Sequence, residues 1–300
     1  MYQEKTNAYL IVAHLDSLAL ARLVKSLNSE KNVDFYIHID AKADITAFQN
    51  PLQNFPNVTF LEGKERVSVH WGGYSLLQAN YNLMQKMFST GIKYKRVFNL
   101  SGLDYPLVSN KFLLEALPDD REYIIGYDVS GEPGINPQKG SMKDKFLYYH
   151  FMDQRFLSRL NRYKLKKAGS YEKLGYDFYF GSEFWALTYD CLKSVFEAFS
   201  EDKKLQRCLR FCFSPGEAWI HTVFFNSKWR ERGQVYHDVY HGLLALSPVH
   251  YFDYGASIKI LTEEDLDKLK QSGKMFCRKV QTGVSDTLVN LIEEARQKDI

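Results

Sequence analysis

The run Ala8-Tyr9-Leu10-Ile11-Val12-Ala13 most constrains how this chain can fold. Six apolar residues without alternation fit a strand buried on both faces, the habit of a parallel sheet. After His14, the residues Leu18, Ala21, Leu23 and Leu27 recur at roughly helical spacing. Phe35-Tyr36-Ile37-His38-Ile39-Asp40 then reads as a second strand ending in a carboxylate. Strand, helix and strand within about 35 residues form a βαβ unit, which gathers ligands at its strand C-terminal ends. His14 and Asp40 stand at two such ends. A histidine there is commonly a satisfied structural group, but the pair together favours a nucleotide site.

Asn57 to Leu61 predicts a third strand, and Tyr74 opens a helix running to about Phe88. Between them, Val67-Ser68-Val69-His70-Trp71-Gly72-Gly73 ends in two glycines. They either let backbone approach a phosphate or sugar or simply make a tight turn. The spacing is neither a Walker loop nor Gly-x-Gly-x-x-Gly. Arg96 to Leu100 gives a further strand, followed by Ser101-Gly102-Leu103-Asp104-Tyr105-Pro106-Leu107, which puts Asp104 near a third strand end. Tyr123 to Tyr127 reads as another short strand. The expected class is α/β, a central, mostly parallel sheet with flanking helices.

The second half is less regular. Gly131, Pro133, Gly134 and Pro137 mark a loop. From Arg155 to Lys167, Arg155, Arg159, Arg162, Lys164, Lys166 and Lys167 interleave with Phe156, Leu157, Leu160 and Leu165, with no acid between. Such a segment is either a solvated, partly packed helix or one lying on an anionic membrane surface. The aromatic run Phe178 to Leu187 is broken by Gly181-Ser182, with Glu183 placed to accept hydrogen bonds from hydroxyls. Glu183, Trp185 and Trp219 are the candidates for acceptor contact, and core packing is the alternative for the aromatics. A helix spans Asp190 to Phe199. Then Ser214-Pro215-Gly216-Glu217 places one carboxylate between a pre-set turn and an apolar helix.

Near the C-terminus, Thr262-Glu263-Glu264-Asp265 predicts a capped helix start, and Met275-Phe276-Cys277-Arg278-Lys279-Val280 a strand. Strand alternation would point only one of Arg278 and Lys279 into a cleft.

Composition narrows the classes. A net charge of +3 is too small to argue for a nucleic-acid partner. The four cysteines form no Cys-x-x-Cys pair, so no zinc or thiol-redox motif is present. Met1 to Asn7 is polar and no window reaches membrane-spanning length. The expected location is cytoplasmic, with peripheral contact at the inner membrane face through Arg155–Lys167 left open.

A nucleotide-type sheet, an aromatic second half, one turn-held Glu and a late Arg-Lys pair suit transfer from a sugar nucleotide. Such transfer with inversion needs a base for the acceptor hydroxyl, and Glu217 can serve. It also needs positive charge on the departing diphosphate. Many such enzymes hold a metal with Asp-x-Asp, but here that pattern occurs only as Asp265-Leu266-Asp267, inside an amphipathic helix. Cations in place of a metal are the better expectation, with no cofactor besides the sugar-nucleotide substrate.

The chain resembles the core-2/I-branching β-1,6-N-acetylglucosaminyltransferase family, which includes peptide O-xylosyltransferases. The resemblance rests on Ile11-Val12-Ala13-His14, Ile37-His38-Ile39-Asp40-Ala41-Lys42, Val69-His70-Trp71-Gly72-Gly73-Tyr74-Ser75 and Asn99 to Leu107. It continues through Gly181-Ser182-Glu183-Phe184-Trp185, Ser214-Pro215-Gly216-Glu217 and Met275-Phe276-Cys277-Arg278-Lys279. Each piece is weak, while the ordered set spans nearly the whole chain. The resemblance implies one GT-A-type domain over 1–300, with a nucleotide-sugar half (1–128) and an acceptor and catalytic half (129–300). It implies inversion without the usual metal motif, Glu217 as base, and His14 and Asp40 at the uridine end. Ser101 to Asp104 would approach the donor sugar or diphosphate, and Lys279 with Arg278 the phosphates. A second phosphate-binding Arg of animal members aligns with Ala256, and Lys259 is the candidate substitute. The expected partners are UDP-N-acetylglucosamine and a glycan or lipid-linked glycan, in extension of a bacterial surface polysaccharide. Xylosyl or galactosyl transfer, or a silent glycan-binding role, are the alternatives.

Overall fold

Strand β1 (Lys5–Ala13) runs between two parallel neighbours, β2 (Val33–Ile39) and β4 (Tyr94–Ser101). The computed structural model describes residues 5–28, 32–129, 135–136, 140–154, 156–167, 171–255 and 257–298. Beyond β2 lies β3 (Val58–Phe60), also parallel, and the opposite edge is the antiparallel strand Ala186–Thr188. The expected central, mostly parallel sheet with flanking helices is therefore present. That edge strand comes from beyond residue 128, so the sheet draws on both halves of the chain.

The unbroken apolar run of β1 is explained by burial on both faces. Ala8 and Leu10 join one core cluster, whereas Tyr9, Ile11 and Ala13 join the other, as alternation along a strand requires. Helix α1 (Ser17–Leu27) covers the second face with Leu20, Leu23, Val24 and Leu27. Burying each of these side chains contributes roughly 1.5–3 kcal/mol. The helix Tyr74–Ser89 covers the first face with Leu77, Leu83, Met84 and Met87. The helix Gly216–Phe225 packs on that side too, through Trp219, Ile220 and Phe224.

A small sheet joins His250–Phe252, Phe276–Arg278 and Asp104–Pro106, the last antiparallel to Phe276–Arg278. It carries the late Arg-Lys pair to the end of β4. The helix Asp286–Lys298 fastens this region to α1, with Asp286 bonded to Arg22. Asp16, which caps α1 through Ala19 N–H, also accepts from Thr282 N–H at 2.7 Å and from its hydroxyl. The loop after β1 is thus held against the C-terminal segment.

The basic stretch is not the amphipathic helix expected. It is a 3-10 turn, Ser158–Tyr163, too short to present a continuous face. Lys164 pairs with Asp144 at 2.9 Å and Lys166 with Glu172 at 3.7 Å, while Lys167 is buried. Acids outside the stretch thus pair with two of its cations. Arg155, Ala256 and the loop residues Gly131, Pro133, Gly134 and Pro137 lie outside the described residues.

Candidate active site

A cleft of about 670 Å³ opens over the C-terminal ends of β1, β2 and β4. Parallel strands end here without covering helices, so a crevice forms at the point where ligands ordinarily bind. His14, Asp40, Ser101, Glu183, Glu217, Arg278 and Lys279 all line it. Residues separated by more than 260 positions in sequence therefore face one space.

At the base of the cleft, the Glu217 turn is rigidly specified. Ser214 holds a left-handed φ of 50°, a conformation a serine adopts only when its surroundings impose it. Its N–H donates to Gly72 O at 2.8 Å, which ties this turn to the glycine pair before the Tyr74 helix. Gly72 itself has φ 71°, and a Cβ there would lie 2.9 Å from the Phe213 ring. Pro215 precedes the helix Gly216–Phe225, so Glu217 stands in its first turn, where the helix dipole favours a negative charge.

Glu217 Oε2 lies 3.6 Å from Lys145 Nζ, and the Glu217 side chain is 18% exposed. Burial raises its pKa above the ordinary carboxylate value, and Lys145 opposes that rise. Glu183 is pushed up to about 8, chiefly by burial and then by the negative charge of Glu217, with Arg278 pulling the other way. At neutral pH the Glu183 carboxyl therefore keeps its proton, while Lys145 favours the ionised form of Glu217 beside it. Gly216 is what lets them approach: a Cβ there would sit 1.7 Å from Glu183 Oε1.

At the far end, His14 is exposed and Asp40 is buried. Asp40 accepts from Lys42 N–H at 2.8 Å and lies 3.4 Å from Lys42 Nζ. Between the two ends, Arg278 Nη2 donates to Ser101 Oγ at 3.3 Å. Arg278 also stacks over Phe184, 4.5 Å from the ring centre. Both Arg278 and Lys279 line the cleft, contrary to the alternation argument, because the strand ends at Arg278 and alternation stops with it. Lys279 has its pKa lowered by burial and by Arg278, so the pair forms a concentrated positive patch.

Four sequence expectations need correction. Asp104 is buried and turned away from the cleft lining. It accepts from Ser101 N–H at 2.7 Å, meets His250 Nε2 at 2.9 Å, and lies 3.6 Å from Arg278 Nε, so it positions the loop rather than touching a donor. Trp185 and Trp219 are each 2% exposed, and both belong to the core. Trp219 packs on Phe199 with ring centres 4.6 Å apart, leaving no face for a sugar. Lys259 is engaged by Asp265 at 2.7 Å and does not line the cleft.

Sequence reasoning missed Lys145 and Tyr254. Lys145 sits in a stretch with no motif, and only the fold brings it to Glu217. Tyr254 lines the cleft and its pKa is raised by burial and by Glu217. Its neighbour Gly255 was the one local sign of a loop at the site. Among the described residues, no group of three or more His, Cys, Asp or Glu side chains is arranged to hold a metal ion.

A human N-acetyllactosaminide β-1,6-N-acetylglucosaminyl-transferase is 27% identical over 194 residues, 63% of this chain and 45% of the relative. A mouse β-1,3-galactosyl-O-glycosyl-glycoprotein β-1,6-N-acetylglucosaminyltransferase 4 is 34% identical over 113 residues, 37% of this chain and 24% of the relative. The xylosyltransferase oxt of Drosophila melanogaster is 28% identical over 221 residues, covering 69% of this chain and 23% of its own. The chain thus spans less than half the length of these relatives. The family model described as Core-2/I-Branching enzyme matches residues 7–270, which takes in most of β1, the Glu217 turn and most of the cleft. The chain belongs to the Core-2/I-branching enzyme family.

Proposed function

We propose that this protein is an inverting glycosyltransferase of GT-A type that moves a sugar from UDP to a hydroxyl of a glycan acceptor. The observation that carries this reading is the convergence in one cleft of Glu217 with Arg278 and Lys279. Glu217 takes the proton from the acceptor hydroxyl as its oxygen attacks the anomeric carbon. The bond from that carbon to the diphosphate breaks on the opposite face, and the electron pair leaves with UDP. Arg278 and Lys279 meet the charge that develops on the leaving phosphate, the role a metal ion plays elsewhere. His14 and Asp40 hold the uridine end. Domain 1–300 works as one unit, with 1–128 binding the donor and 129–300 supplying acceptor contacts and the base.

N-acetylglucosamine is the proposed donor sugar, supported by the names of two of the relatives above. Xylose is the second reading, because the xylosyltransferase match covers 69% of this chain. A glycan or lipid-linked glycan is the proposed acceptor class. Contact with a membrane surface rests on exposed Phe156, Tyr163 and Leu165 beside Arg159 and Arg162. No helix among the described residues is long and apolar enough to cross a membrane.

Calorimetric titration with UDP, with and without chelator, tests the donor site. Equal micromolar binding in both conditions is expected. No binding of UDP in either would remove the reading, and binding only without chelator would remove metal independence. A release assay over UDP-N-acetylglucosamine, UDP-xylose and UDP-galactose then identifies the sugar.

A further inference from the structure

Outside the cleft, one buried cluster serves no part in the proposed reaction. Lys167 Nζ lies 2.7 Å from Cys212 Sγ and 2.7 Å from Cys208 O. Lys167 is 5% exposed, Cys212 1% and Cys208 3%. A lysine seldom sits in such surroundings, because removing its charge from water is costly unless a partner compensates. Here the compensating groups are one carbonyl and one thiol. The main structural demand, neutralising an ammonium, would be met more simply by a carboxylate. A thiol placed against the amine instead gives a sulfur able to exist as thiolate, the form that reacts with oxidants.

The electrostatics of the four cysteines separate this one from the rest. Burial raises the Cys212 thiol, but the hydrogen bond with Cys208 and the charge of Lys167 outweigh it, leaving its pKa lowered. Burial pushes the Cys191 and Cys277 thiols up, and at Cys191 the charges of Arg232 and Arg96 do not offset it. Cys208 is raised as well, by its bond with Cys212 and by burial. The protein thus contains its own controls.

We propose that Lys167 and Cys212 form a modification site, in which a peroxide oxidises the thiol and the neighbouring amine captures it as a covalent sulfur–nitrogen crosslink. In the first step the thiolate attacks peroxide: sulfur is oxidised to a sulfenic acid, the O–O bond breaks, and hydroxide leaves, becoming the first water when it takes a proton from the Lys167 ammonium. In the second, the Lys167 amine, having given up its proton to the released hydroxide, attacks that sulfur. The S–O bond breaks, a second water leaves, and an S–N bond replaces the contact. The net change is loss of two hydrogens. Excess thiol reductant reverses the bond.

The location gives the crosslink a consequence. Cys212 precedes Phe213, whose N–H donates to Lys145 O at 2.9 Å, and Ser214, which opens the Glu217 turn. A bond at Cys212 would therefore fix the segment that carries the candidate base and its lysine partner.

The test treats the folded protein with dilute hydrogen peroxide, blocks remaining thiols with an alkylating agent, and maps peptides by mass spectrometry. The expected product joins the Lys167 peptide to the Cys212 peptide, resists trypsin at Lys167, and disappears with dithiothreitol. Cys212 should lose its alkylation at least tenfold faster than Cys191 and Cys277 in the same sample. Equal rates for the three cysteines would overturn the proposal, as would a Cys208–Cys212 disulfide in place of the crosslink. In Lys167→Met, Cys212 should continue to sulfinic acid or stay reduced, without any crosslink. The wild-type time course stands independently should that variant fail to fold.

Discussion

Lys145 is the residue that most affects what Glu217 can do. Burial raises the Glu217 pKa and Lys145 counters it. A base must be ionised, so activity should fall as pH drops through the raised Glu217 value. In Lys145→Met the counterweight is gone, and the acidic limb of kcat/KM should move to higher pH by about one unit. Lys145→Arg should restore most of the original profile. An unchanged limb in Lys145→Met would show that Lys145 does not act through Glu217. Glu183 makes a different prediction, about stability. Its carboxyl, pushed to about 8 from 4.5, keeps its proton in the fold where the unfolded chain has lost it. The resulting stabilisation is fully present below pH 4.5 and is lost as pH rises towards 8. Glu183→Gln removes this slope. Its Tm relative to wild type should therefore be higher at pH 8 than at pH 5, by roughly 3 °C. A difference independent of pH would contradict the assignment.

At the scale of elements, the site depends on two turns that touch. Gly216 admits the Glu183 carboxyl against the first turn of the Glu217 helix, where a Cβ would collide at 1.7 Å. Gly216→Ala should cost about 2 kcal/mol or more in stability, read by denaturant unfolding. Shortening the obstructing side chain in Gly216→Ala/Glu183→Ala should recover at least half of that loss. No recovery would place the strain elsewhere. The elements themselves were largely legible in the sequence. β1, β2 and the Tyr74 helix follow from apolar runs and periodicity, because their burial is set by the sheet they build. Trp185 and Trp219 were not legible in role. A tryptophan that stacks on a sugar and one that fills a core obey the same local pattern, and only the three-dimensional packing separates them. The basic stretch was misread for a related reason. Asp144 and Glu172, which pair with Lys164 and Lys166, lie outside the stretch, so these contacts could not be seen from its own residues.

For the whole molecule, the cleft is assembled from distant parts. β1, β2 and β4 supply one wall, the Glu217 turn the base, and the segment from Phe276 to Lys279 the positive patch. Asp104 was expected near the donor from its position after a strand; it follows the end of β4 but faces His250 and Ser101. Spacing indicates which end of a sheet a residue occupies, not the direction of its side chain. Lys145 was invisible to any motif because its partner lies 72 positions on. Because the proposed phosphate patch and the proposed uridine end come from opposite ends of the chain, they can be separated experimentally. Lys279→Ala should weaken UDP binding at least tenfold while changing uridine binding less than twofold. Equal losses for both ligands would contradict a phosphate role for Lys279.

The central claim is that Glu217 deprotonates the acceptor in a site that binds the nucleotide independently of it. Its most direct test measures sugar transfer and UDP affinity together in Glu217→Gln, a substitution that keeps shape and removes the base. The account predicts a fall in kcat of about 10³-fold or more with the UDP Kd within threefold of wild type. Transfer within a few fold of wild type, with UDP still bound, would contradict it.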